Sequence, residues 1–182
     1  MNFTINRDDL LKPLVLVSGA IERRHTLPIL SNVLIEVSDG ILSLTGTDLE
    51  VELVATTTIS DNALSFRTTV PAKKLLDICK SLPDGVMLNV QVEAEQLIMK
   101  AGKSRFTLST LAANEYPNLD SWQADATLEL TKTAFRGLIE CTHFAMANQD
   151  VRYYLNGMSL EIENNLVRTV ATDGHRLALS SL

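Results

Sequence analysis

Apolar residues along this chain change their period in a recurring order: a short alternating stretch, a run at helical spacing, then further alternating stretches. In the first round Phe3–Ile5 alternates as a strand does. Leu10, Leu14 and Val17 follow at helical spacing, with Asn6 as the N-cap, acidic Asp9 three residues on and Gly19 as the stop. Pro13 falls inside this helix, at a cost of about 3 kcal/mol unless packing compensates, so a kink is expected there. Alternation predicts strands at Val33–Val37, Ile41–Leu44 and Leu49–Val54, the first two joined by a hairpin turn at Asp39-Gly40. The second round has a strand at Phe66–Val70 and a helix entered at Pro71, with Ala72, Leu75, Leu76 and Cys79 on one face and Pro83 closing it. Strands near Val86–Val92, Leu97–Lys100 and Arg105–Ser109 complete it. The third round places Phe135, Leu138, Ile139 and Thr142 on one helical face after an N-cap at Thr131. The predicted unit is therefore βαβββ, used three times in an α+β fold.

The third round also repeats the first residue by residue. Thr47-Asp48 and Thr172-Asp173 lie 125 positions apart, and the same offset aligns Phe3 with Leu128, Leu10 with Phe135, Leu14 with Ile139, Ile35 with Leu160, and Val37 with Ile162. After the Thr-Asp pair the apolar pattern suggests one inserted residue, which sets Val51 and Leu53 opposite Leu177 and Leu179. An internal repeat of this kind marks one supersecondary unit used several times. Ala112–Ala126, with Pro117, Asn118 and Asp120, reads as a linker, and Trp122 within it as a pin between domains. The expected organisation is a first domain over residues 1–120, built of two units, and the first half of a second over 121–182.

Composition narrows the class without choosing a function. No apolar run approaches the ~18 residues of a membrane span, and the N-terminus lacks the basic-then-apolar pattern of a secretion signal, so a cytoplasmic protein is expected. Cys79 and Cys141 stand alone, without the spacing of a disulfide framework or zinc site, and both read as small core residues. The net charge of −6 is unevenly spread. The helices with their following loops (7–25, 72–82 and 131–152) hold ten basic and six acidic side chains, a sum of +4, and the remaining segments sum to −10. Helices gathered on one side would make that side attractive to phosphate.

Two short segments carry candidate chemistry. Asp173 and His175 could form an acid/base pair, but no serine or cysteine nucleophile is identifiable beside them, and Gly174 reads as a turn or bulge. Tyr153 and Tyr154, read as part of a strand, would point to opposite faces, one into the core and one outward.

MNFTINRDDLLKPL, TLPILSNVLIEV, LSLTGTDLEVEL, TTVPAKKLLDICKSLP, SRFTLSTLAANEYPNLD and QDVRYYLNGM, with TVATDGHRLAL after it, closely resemble the bacterial DNA polymerase sliding clamp, the beta subunit. The resemblance runs from residue 1 to residue 182. It implies the DNA-clamp fold: βαβββ units with helices on one face and antiparallel sheets on the other, closed into a ring by two head-to-tail subunits. It also implies a mechanical role, in which a ring around duplex DNA tethers the polymerase; no catalysis, metal or cofactor is expected.

By the same resemblance, Arg24, Gln149, Tyr153, Tyr154 and Lys73 are DNA contacts, with Lys12, Lys132 and Arg136 as further phosphate-attracting charges. Leu155, Thr172, Gly174, His175, Arg176 and Leu177 line a cleft for a short peptide carried by the replicative polymerase, the clamp loader, repair polymerases and mismatch-repair proteins. Lys74, Ile78, Lys103, Arg105, Phe106 and Leu108 form the edge that meets the second clamp subunit. The other cleft wall and the partner of that edge fall outside these residues. Weak or absent peptide binding, a monomer prone to self-association through an open apolar edge, and a third unit less stable than residues 1–111 are therefore expected. The alternatives are a short clamp-like module that binds a clamp loader or a clamp without encircling DNA, and an enzyme using Asp173 and His175.

Overall fold

A computed structural model describes residues 2–21, 27–59, 64–117 and 127–182. The chain divides into two compact units, Met1–Ser121 and Trp122–Leu182.

In the first unit, β1 (Asn2–Asn6) leads into α1 (Arg7–Val17), where Asn6 accepts a hydrogen bond from the backbone N–H of Asp8. The helix runs on through Pro13, which is buried. Three strands follow: β2 (Asn32–Ser38), β3 (Ile41–Thr47) and β4 (Glu52–Thr58). Asp39 and Gly40 turn the β2–β3 hairpin with φ of 51° and 76°, the left-handed pair that a two-residue hairpin needs. The second repeat supplies β5 (Phe66–Pro71), α2 (Ala72–Ser81), β6 (Met87–Glu93), β7 (Gln96–Ala101) and β8 (Ser104–Ser109).

The two repeats exchange their first strands. One antiparallel sheet has the order β4-β3-β2-β5 and the other β1-β6-β7-β8. Neither repeat can complete its own sheet, so the pair folds as one body. α1 packs against α2 and against β3 and β4, while α2 rests on β2 and β5. Both sheets and both helices share one core, which includes Leu14, Val17, Val33, Leu44, Leu75, Leu88 and Met99. At Gly46 the strand comes so close to α1 that an added Cβ would sit 2.5 Å from the Val17 carbonyl oxygen.

A buried arginine fastens α1 to α2. Arg7 Nε donates to the Cys79 carbonyl at 2.7 Å, and Nη1 reaches Asp8 at 2.6 Å and Asp84 at 2.8 Å. Asp8 in turn accepts from the Gly85 backbone N–H at 2.9 Å. The hydrogen bond from Arg7, with that from Gly85, holds the Asp8 carboxyl below the usual carboxylate range. Residues 113–116 are no free linker: Tyr116 is buried, and its hydroxyl donates to the Thr45 carbonyl at 3.0 Å. Trp122 lies outside the described residues.

The second unit holds α3 (Lys132–Glu140), capped by the Thr131 side chain, and a three-stranded sheet of order β11-β10-β9, with β9 at Ser159–Glu163, β10 at Leu166–Thr172 and β11 at Leu177–Ser181. Three expectations need correction. The strand implied at Leu128 does not form. Its counterpart β1 pairs with β6, and no described residue of the second unit supplies an equivalent. Phe135 is exposed, because α3 has no described neighbour corresponding to α2. Cys141 caps the C-terminus of α3 and is exposed, whereas Cys79 is fully buried and burial pushes its thiol up to about 11.

The alignment after the Thr-Asp pair also changes. Thr47 pairs with Glu52 and Gly46 with Leu53, while Thr172 pairs with Leu177 and Ala171 with Ala178. The offset of 125 persists with no insertion, so Leu53 corresponds to Ala178 and Val54 to Leu179. A slip of one residue moves every side chain of a strand to the other face. Leu177 and Leu179 accordingly point outward, 65% and 55% exposed, while Ala178 fills the inner position.

Candidate functional site

The Thr-Asp pair builds the same turn in both units. In the second, Thr172 Oγ1 donates to the Arg176 carbonyl at 2.7 Å and accepts from the Gly174 N–H at 3.1 Å. Asp173 Oδ1 accepts from the backbone N–H groups of His175 and Arg176, both at 2.9 Å. In the first, Thr47 and Asp48 make the corresponding bonds to Val51, Leu49 and Glu50. The residue after Asp takes a positive φ in each: 77° at Leu49 and 90° at Gly174. Glycine adopts that conformation freely; leucine does so under strain.

The turn therefore consumes the carboxylate that an acid/base pair would need. Bonds from the His175 and Arg176 backbones hold the Asp173 carboxyl below its ordinary range. Its second oxygen pairs with Arg176 Nε at 2.9 Å. His175 is exposed, and its ring makes no hydrogen bond or ion pair among the described residues.

Residues 149–156 pack against this turn. Gln149 is exposed at a left-handed bend with φ of 57°. Asp150 N–H donates to the Asn156 side chain, and Asn156 donates back to the Asp150 carbonyl, each at 3.0 Å. Asp150 also accepts from Arg152, from its backbone N–H at 2.8 Å, from Nε at 3.0 Å and from Nη2 at 2.8 Å. The side-chain bonds from Arg152 pull the Asp150 carboxyl down to about 2. Tyr153–Asn156 is a 3-10 turn, which corrects the strand reading: both tyrosines are exposed, 82% and 67%, their ring centroids 6.0 Å apart and edge to face. Leu155 is half-buried, and its carbonyl accepts from the Ala147 N–H.

Phe144 was missed by the sequence reading. It lies 54% exposed with the Arg176 guanidinium 5.8 Å from its ring centroid, a cation–π distance. No periodic signal marks it, because it sits in a 3-10 turn just past α3. Leu155, Thr172, Gly174, His175, Arg176 and Leu177 thus belong to two segments of the second unit, joined by the Arg152 side chain.

Of the other predicted positions, all but Lys132 and Arg136 lie in the first unit. Lys73 and Lys74 are exposed on the first turn of α2, and Ile78 is half-buried one turn on from Lys74. Lys12 pairs with Asp9 at 3.9 Å, Arg136 of the second unit with Glu140 at 2.6 Å, and Lys132 is exposed. Among the described residues β8 is an edge strand, bonded along its length to β7 alone. The expectation of an open apolar edge needs correction: Leu108 is buried and Phe106 packs on the core, so the free edge shows Lys103, Arg105 and Thr107. Arg24 lies outside the described residues.

No described helix is long and apolar enough to cross a membrane, and no group of described side chains could hold a metal ion. Residues 1–120 match the family described as DNA polymerase III beta subunit, N-terminal domain, and residues 129–182 match its central domain. The beta sliding clamp of Pseudomonas aeruginosa is 57% identical and that of Escherichia coli K12 54% identical, each over all 182 residues. The chain spans about half the length of these curated relatives, 50% in both. Among solved structures, the DNA polymerase III subunit beta from Pseudomonas aeruginosa superposes with a TM-score of 0.96 at 56% identity, over the whole of this chain and 50% of that one. The sliding clamp from the same organism bound to griselimycin gives the same TM-score and identity over 49% of its length.

Proposed function

Because the chain belongs to the DNA polymerase III beta subunit family, we propose that it forms part of a processivity factor of DNA replication, a ring that encloses duplex DNA and tethers the polymerase. Two domains follow the matched segments, a first clamp domain over 1–120 and the first half of a second over 121–182. Topology holds such a ring on DNA, so its contacts need only be weak and independent of sequence. Exposed lysines acting across a screening length of about 10 Å meet that need; bonds to base edges would impede sliding. Lys73, Gln149, Tyr153 and Tyr154 are the DNA-facing residues in this reading, with Arg24 added from the sequence, and the tyrosine rings offer stacking surfaces.

Leu155, Thr172, Gly174, His175, Arg176 and Leu177 form one wall of a peptide cleft. The observation that carries this reading is the outward Leu177 next to Arg176, whose guanidinium lies over the Phe144 ring: an exposed apolar position flanked by two arginines, each paired with its own carboxylate. Replicative and repair polymerases, the clamp loader and mismatch-repair proteins are its proposed partners. β8, with Lys74 and Ile78 of α2, forms the proposed contact with a second subunit, by pairing of backbone edges rather than by apolar side chains. The role requires no catalysis and no cofactor, and the cytoplasm is its proposed compartment. The use of Asp173 as a turn-former, matched by Asp48 in the other unit, speaks against an acid/base pair.

Primer extension on a long singly primed template tests the role. The native gene product, with clamp loader and replicative polymerase, should lengthen the products made per binding event by at least about an order of magnitude. Binding to the loader without any such gain would instead identify a short interaction module.

A further inference from the structure

The Asp150–Arg152 pair does more than close its own loop. Arg152 is the residue next to Tyr153, and its Nη2 lies 3.5 Å from the Asp173 carbonyl oxygen of the opposite turn. The guanidinium also covers Gly174: a Cβ added there would meet Nη1 at 3.4 Å, Nη2 at 3.6 Å and Cζ at 3.9 Å. Arg152 has one orientation because Asp150 binds it through Nε and Nη2 together, a two-point fork that fixes direction as well as distance. Asp150 is itself fixed by the two-way clasp with Asn156. A chain of contacts therefore runs from Asn156 through Asp150 and Arg152 to the Asp173 carbonyl, with the guanidinium lying over Gly174.

We propose that Asp150 is a positioning residue which, by orienting Arg152, locks the loop of Tyr153 and Tyr154 to the Thr172–Leu177 turn so that the two move as one body. The functional consequence rests on the proposed roles of that loop as a DNA contact and of that turn as a cleft wall: a duplex that displaces the tyrosines then also displaces the cleft wall. The mechanical coupling itself stands apart from those roles and is measured without ligand.

Amide exchange and ¹H–¹⁵N spectra of the 182-residue chain test it, comparing Asp150→Asn and Arg152→Lys with the parent. Asn at 150 keeps an acceptor for the Arg152 backbone N–H but loses the charged fork. Lys at 152 keeps the charge and loses the planar geometry. Both variants should speed exchange about tenfold at Gly174, His175 and Arg176 as well as at Tyr153–Leu155, and the double variant should do no more than either single one. The Arg152 Nε–H resonance should shift in Asp150→Asn and, from the other side, in Gly174→Ala. Unchanged spectra for β10 verify folding. Changes confined to residues 150–156, or additive effects in the double variant, would overturn the coupling. A duplex oligonucleotide added to the parent chain then separates the two ideas. Shifts at Tyr153 that reach Gly174, and stop at residue 156 in Arg152→Lys, support the functional consequence. If the duplex shifts no resonance of the loop, the DNA-facing role fails while the ligand-free result still decides the coupling.

Discussion

The two copies of the Thr-Asp unit share a backbone and differ in what covers it. Their turns agree bond for bond, and Asp39 and Asn164 bend the preceding hairpins with φ of 51° and 52°. Yet Ile35 on β2 is 2% exposed and its counterpart Leu160 on β9 is 48% exposed; Val37 is 1% and Ile162 54%. The cause is the exchange of strands between repeats. β2 is paired along its length by β5 and covered by α2, while β9 is bonded among the described residues to β10 alone. Among the described residues, the core of the first unit draws on 22 buried side chains from both repeats. That of the second gathers around Ala145, Ala171 and Ala178 and a polar contact between Thr142 and Thr169. Local sequence determines the turn; the neighbouring repeat determines the burial.

The largest expected effect comes from substituting aligned positions. Ile35→Ala should cost about 2–5 kcal/mol, because it removes a buried side chain and leaves a cavity. In the 182-residue chain Leu160→Ala should stay within about 0.5 kcal/mol, as exposed substitutions do. Denaturant unfolding of both variants, followed by probes in each unit, checks this, and equal costs would end the contrast.

High pH should narrow the advantage of the first unit. Burial raises the Cys79 thiol to about 11 and the Tyr116 hydroxyl to about 12, from 9.0 and 10.0. A raised pKa favours the protonated form in the folded state, so its stabilisation is complete below the unfolded pKa. As pH rises from 9 through 11 the unfolded thiol ionises first and stability falls, by on the order of 1–3 kcal/mol; Tyr116 extends the fall toward 12. Urea midpoints of the first unit measured from pH 8 to 11 should decline. Cys79→Ala should flatten the first part of that decline, and a flat profile in the parent protein would contradict the burial argument.

The smallest effect is a reciprocal pair at the turn. Leu49→Gly should stabilise the first unit by about 0.5–1 kcal/mol by relieving a left-handed leucine, and Gly174→Ala should cost about 1 kcal/mol in the second. Thermal melts that moved both in the same direction would show that the two turns are not equivalent.

Local chemistry was legible in the sequence wherever a side chain bonds its own neighbourhood. The Asn6 and Thr131 caps, the Asp39-Gly40 hairpin and the apolar face of α2 all form as their residue types dictate. What depended on a distant partner was not legible. Leu128 resembles Phe3 as a strand residue, but a strand needs an edge to pair with. Leu177 and Leu179 matched Val51 and Leu53 by residue type through one inserted residue, and only the ladder register reveals that they answer to Glu52 and Val54. Tyr153 and Tyr154 read as strand residues, yet within the Asp150–Asn156 clasp they form a 3-10 turn. Candidate site residues were found through family resemblance. Arg152 and Phe144, which connect them in space, carry no pattern of their own.

Retention on DNA of different topology tests the proposed role most directly. The native product carrying this sequence is loaded by its clamp loader onto a nicked circular plasmid, separated from free protein, and the plasmid is then cut once. A ring held by topology should remain on the circle through a salt wash that screens surface charges and slide off once the DNA is linear. Protein that stays bound after cutting, or leaves circle and linear DNA at the same rate, would contradict the account, because charge alone would then be holding it.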